Sequence, residues 1–174
     1  GKVGQNRDNQ GLSEYDIAAS ATAIYQNDPV EMAADGTITV AAATDTLLGS
    51  LNGVFFTDAN TSKPTYANHL NASNTATDIV GFVSDDPYER FEVQSDGATA
   101  AADVGMNADI VYAAGSSPDY VSGVELDHSD LKTATAQLRV LAISNDPNNS
   151  TAGSADVNVV VMINEHFLKG TVGV

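Results

Sequence analysis

Short runs of apolar–polar alternation, each ended by a turn pair, constrain this chain more than any other feature. In Thr37-Ile38-Thr39-Val40, the apolar residues Ile38 and Val40 share one face. Arg90-Phe91-Glu92-Val93-Gln94 turns Phe91 and Val93 inward and three polar side chains outward, and Val157, Val159, Val161 and Ile163 line one face of a late segment. A side-chain period of two is that of a β-strand. Asp-Pro punctuates the chain at Asp28-Pro29, Asp86-Pro87 and Asp146-Pro147; Asp35-Gly36, Asn52-Gly53 and Asp96-Gly97 are further turn signals. Strands are also predicted over 15–19, 23–26, 47–51, 54–57, 79–84, 110–113 and 120–126, with a short helical turn over 98–104 and another over 129–132. The fold class this implies is all-β: a compact β-barrel or β-sandwich of about 8–11 short strands.

Two segments are apolar on both faces. Val160 and Met162 lie behind Val159 and Val161, and within 137–143 Leu141 and Ile143 alternate with Leu138 and Val140. Such strands belong to a sheet covered twice, or they meet a neighbouring subunit. Leu141, Ile143, Val160 and Met162 are therefore candidates for subunit contact, with a second buried layer of the same chain as the alternative.

At 174 residues the chain has the length of one domain, long enough to bury a core without metal or disulfide. Residues 1–14 hold only two apolar side chains, Val3 and Leu12, and show no periodicity, so they read as an extended arm ahead of a single β domain over 15–174. No cysteine is present, which excludes a thiol nucleophile and Cys-ligated metals. No segment approaches the ~18 apolar residues of a membrane span, and no signal peptide is expected.

Seven Lys and Arg face 23 Asp and Glu, for a formal charge of −16. Lys2 and Arg7 both precede the first acid, Asp8, so all of the acidity lies beyond the start of the arm. A body this acidic repels a phosphate backbone, so no nucleic-acid partner is expected. The same acidity suits a saline medium.

No catalytic constellation emerges. His69, His128 and His166 fall in no H-x-x-x-H or H-E-x-x-H spacing, and G-x-S-x-G and phosphate-cradling glycine loops are absent. Asp85-Asp86 reads as a solvated turn ahead of Pro87. The oxygen-rich segments 58–62 and 145–149 lack the glycine and terminal glutamate of the twelve-residue calcium loop. Without tryptophan, and with aromatics at 6%, there is no evident sugar or base-stacking platform. The expectation is no enzyme, no cofactor and no resident metal.

Between Leu47 and Asp109 the chain runs L-L-G-S-L-N-G-V-F-F-T-D, K-P-T-Y-A-N-H-L, D-I-V-G-F-V-S-D-D-P-Y-E-R-F-E-V-Q-S-D-G and A-A-D-V-G-M-N-A-D. This succession resembles the capsid decoration, or cement, proteins of tailed bacteriophages, the marine ones in particular; the stretch from Val83 to Gln94 is its most specific part. The resemblance implies a virion protein on the outer surface of the capsid that cements neighbouring major capsid protein subunits, forms a homotrimer at local threefold positions and has no active site. On that reading Lys2, Val3, Arg7 and Leu12 of the arm bind the capsid. The alternatives are a tail component, a head-fibre base, or an acidic calcium-binding β surface domain.

Overall fold

The computed structural model describes residues 11–170. Lys2, Val3 and Arg7 lie outside the described residues. The architecture is all-β and sandwich-like, built from several antiparallel sheets, and it is not a closed barrel. Among the described residues twelve strands follow in order: β1 (Leu12–Asp16), β2 (Pro29–Met32), β3 (Ile38–Val40), β4 (Gly49–Thr57), β5 (Pro64–Ala67), β6 (Val80–Ser84), β7 (Arg90–Gln94), β8 (Asn107–Ala108), β9 (Ile110–Val111), β10 (Glu125–Leu126), β11 (Leu138–Ile143) and β12 (Asn158–Ile163). Single 3₁₀ turns occur at Ala101–Asp103, His128–Asp130 and Phe167–Lys169.

The first sheet runs β1-β6-β4-β2-β3, with β5 added to the far half of β4. Its buried face carries Val30, Ile38, Leu51, Val54 and Val83, joined by Ile24, Leu70 and Ile79. The second sheet runs β7-β12-β11-β8. Val159, Val161 and Ile163 of β12 point into a second core with Leu138, Val140, Ile110 and Leu126, the last two from the β9–β10 pair. Each such aliphatic side chain, fully buried, contributes about 1.5–3 kcal/mol. Leu47 couples the halves: its backbone bridges His166, and its side chain lies in the second core while Leu48 lies in the first.

Several local expectations change. The first strand begins at Leu12, inside the segment read as an arm, because Tyr15 packs on the first core and its hydroxyl donates to Asp85 Oδ2 at 2.7 Å. Asp85 is accordingly buried and not a solvated turn residue. Asn52-Gly53 is not a turn. The register of β4 against β6 slips between Leu51 and Gly53, so one bulged strand replaces the two predicted. Residues 23–26 make only the isolated bridges of Ile24 to Leu70 and Gln26 to Val121, and of 120–126 only Glu125–Leu126 is a strand. Strands β2 and β5, each opening on a proline, escape the alternation test.

A second bulge corrects the face of one predicted contact residue. The register of β11 against β12 shifts between Val140 and Ala142. The extra residue is Leu141, so Ile143 falls opposite Val159 and packs on the second core with Leu138 and Val140 instead of facing away from them.

Candidate interaction surfaces

The outer face of the second sheet is built by strand register. Arg90 of β7 stands opposite Met162 of β12, which stands opposite Arg139 of β11, which in turn faces Asn107 of β8. In the next row Glu92 faces Val160, and Val160 faces Ala142. Val160 and Met162 therefore point away from the second core, half-buried among the neighbouring side chains, as does the mixed pattern of β12. Arg139 Nε donates to Asn107 Oδ1 at 3.0 Å. Among the described residues neither arginine forms an ion pair, whereas Lys132 is held by Asp130 at 2.7 Å and Asp109 at 3.3 Å. Glu92 is engaged elsewhere, accepting from Ser144 Oγ at 2.8 Å and Asn158 Nδ2 at 3.1 Å. Beside this face, Lys169 Nζ lies 4.8 Å from the ring centre of Tyr88, which is largely exposed.

The first sheet also has an open face. Leu12, Glu14 and Asp16 of β1 stand opposite Ser84, Phe82 and Val80 of β6, and Val80 is paired in turn with Phe55 of β4. Phe55 faces Tyr66 of β5 with ring centroids 4.9 Å apart, and Tyr66 lies 6.4 Å from Phe82. Tyr66 is 75% exposed. Leu12 is thus half-buried at the margin of this face, while Glu14 and Asp16 are exposed beside the aromatic rings.

A cleft of about 680 Å³ is lined by β7, the segment 121–125, Pro29 and Ser50, together with Val161 and Ile163 of the second core. Arg90, Glu92 and Glu125 are its charged residues. They do not form a catalytic pair with a positioned nucleophile.

The polar clusters elsewhere are structural ties. Ser95 Oγ lies 2.8 Å from Thr99 Oγ1, which lies 3.3 Å from His128 Nδ1. This has the order of a hydroxyl–imidazole relay, but both hydroxyls are fully buried, and Asp96 grips the His128 backbone N–H instead of its ring. His69 stacks on Tyr120 at 3.9 Å, with Tyr25 about 6 Å from both rings. Those rings join three chain segments and spend their faces on one another. In the loop over 58–62, Asp58 Oδ1 accepts the Thr61 N–H at 2.8 Å, the Thr61 hydroxyl at 3.0 Å and the Asn60 N–H at 3.0 Å, and these bonds hold its carboxyl below the usual range. Asp146 likewise accepts the Asn148 N–H at 2.9 Å. Among the described residues no group of three or more His, Asp or Glu converges as a metal site.

Of the residues singled out from sequence, Val160 and Met162 share an open face, Leu141 is the bulge residue near it, Ile143 belongs to the core and Leu12 lies on the other sheet. Arg90, Arg139 and Tyr66 were missed. Arg90 alternates visibly outward in β7, but its alignment with Met162 and Arg139 follows from pairing partners far apart in sequence. No family model, no curated protein and no solved structure matches this chain.

Proposed function

We propose that the chain is a non-enzymatic virion structural protein that binds the outside of a phage capsid and cements neighbouring major capsid protein subunits as a homotrimer. The observation that carries this reading is the sequence succession from Leu47 to Asp109, whose most specific stretch, Val83 to Gln94, runs from the end of β6 to the end of β7. The architecture suits the role: two cores give rigidity, and two open sheet faces offer surface to partners. The proposed capsid-binding residues are Lys2, Val3, Arg7 and Leu12. Leu12 opens the edge strand β1, so the segment that carries the cations joins the body at a sheet margin. Two cations ahead of an acidic body favour an acidic groove on the shell.

The test is location and copy number on the particle. Antibody raised to the purified chain, used in immunogold microscopy of virions from its source, is expected to label the head. Quantitative mass spectrometry is expected to give copies comparable to the major capsid protein. Label on the tail, or a few copies per particle, would replace cement with a tail or fibre component, and absence from virions would overturn the reading.

A further inference from the structure

The two open sheet faces differ in charge and match in spacing. Arg90, Met162 and Arg139 lie on three adjacent strands, so the arginine positions are two strand spacings apart, about 10 Å. On the other sheet Asp16, Val80 and Phe55 also lie on three adjacent strands with the same two spacings, and Tyr66 extends that row by one strand. Glu14 and Phe82 form the adjoining row.

The state of the arginines is the second observation. Five Lys and Arg fall among residues 11–170; Lys132 alone is ion-paired among the described residues, and of the four cations without a carboxylate partner, Arg90 and Arg139 flank one methionine. In a chain of net charge −16, intramolecular acids are plentiful, yet this row is left open to an external one. An arginine pair around a half-buried thioether suits a surface offering carboxylate and aromatic rings together, since guanidinium bonds to the first and stacks on the second, and sulfur packs favourably at ring edges. The Asp16–Val80–Phe55–Tyr66 row is such a surface.

The geometry points to a head-to-tail contact between copies of this chain. The Arg90–Met162–Arg139 row of one copy seats on the Asp16–Val80–Phe55–Tyr66 row of the next. One guanidinium pairs with Asp16, Met162 covers Val80, and the other guanidinium lies on the Phe55–Tyr66 rings. Because the two surfaces differ, the contact is heterologous, and its repetition closes a ring or continues as a filament. The contact opposes the mutual repulsion of two acidic chains, which physiological salt screens beyond about 8 Å. It supplies a specific interface for the proposed oligomer, yet it is tested on the purified chain alone. Failure here leaves capsid attachment standing, and failure of the capsid reading leaves this contact standing.

Light scattering coupled to gel filtration, with sedimentation equilibrium at physiological salt, is the experiment. The full chain is expected to assemble beyond a monomer. Arg90→Glu with Arg139→Glu, and separately Tyr66→Ala, are each expected to weaken assembly on the order of tenfold or more, with an unchanged circular dichroism melt. Adding Asp16→Arg to the double arginine variant is expected to restore assembly in part, because one of the two glutamates then meets a cation while the other still faces the rings. A monomeric full chain overturns the inference, and so does an assembly indifferent to all three changes. Should the double arginine variant fail to fold, Tyr66→Ala decides alone, since that side chain is 75% exposed.

Discussion

Gln137 reaches across 95 positions of sequence to donate its Nε2 to the carbonyl of Ala42 at 2.8 Å. The same nitrogen donates to Asp45 O at 2.7 Å, and Oε1 accepts the Ile110 N–H at 3.0 Å, so a fully buried amide ties the β3–β4 connection to the second core. Replacing it by leucine preserves bulk but leaves those groups without their partner. Gln137→Leu is expected to destabilise the fold by about 3 kcal/mol, read from urea unfolding midpoints. Gln137→Glu is expected to do worse at neutral pH, where a carboxylate would face two carbonyl oxygens, and to recover on acidification. A leucine variant as stable as the parent would show that water satisfies these groups.

Gly49 and Gly81 are both tightly enclosed, but by different things. A Cβ at Gly49 would run into the Ser84 carbonyl, which is backbone of the paired strand. A Cβ at Gly81 would meet the Cδ1 atoms of Ile38, Ile17 and Leu51 at 2.9, 3.1 and 3.2 Å, the far ends of side chains that can turn aside. Gly49→Ala is expected to cost about 3 kcal/mol and Gly81→Ala about 1 kcal/mol, within the range of overpacking. Thermal unfolding of the two variants checks the order; a reversed order would mean that β4 and β6 separate more easily than the first core repacks.

His166 resists protonation in the folded chain. Burial is the main cause and the Lys169 charge adds to it, while Asp85 and Asp86 act in the opposite direction. Its Nδ1 also accepts the Leu168 N–H at 3.1 Å, a bond that needs the unprotonated nitrogen. The folded pKa therefore lies below the unfolded value of about 6.5. As pH falls through that unfolded value, the denatured chain takes up a proton that the native chain does not, and stability declines until the folded pKa is passed. His166→Asn keeps an acceptor for Leu168 and removes the titration. Its unfolding midpoint is expected to fall less between pH 7 and pH 5 than that of the parent, and equal slopes would show that His166 titrates as it does in the unfolded chain.

The alternation of Arg90–Gln94 and of 157–163 sufficed to find β7 and β12 and to assign their buried faces, because side-chain direction along a strand is a local property. The same alternation, with its turn pairs, set the all-β class, and composition set the net acidity. Asp-Pro marked three chain breaks, yet only the fold separates them. Asp86 and Asp146 cap exposed turns, whereas Asp28 is fully buried with its Oδ2 on the Tyr25 N–H at 2.7 Å, and burial raises its pKa. The bulges at Asn52 and Leu141 were equally hidden. One extra residue in a ladder exchanges the faces of everything beyond it, and the partner strand decides where that residue goes. The sequence by itself thus determined the all-β class and, for strands such as β7 and β12, which face turns inward. Only the tertiary structure decided that Arg90, Met162 and Arg139 form one row, because register between strands is chosen by burial summed over residues far apart in the chain.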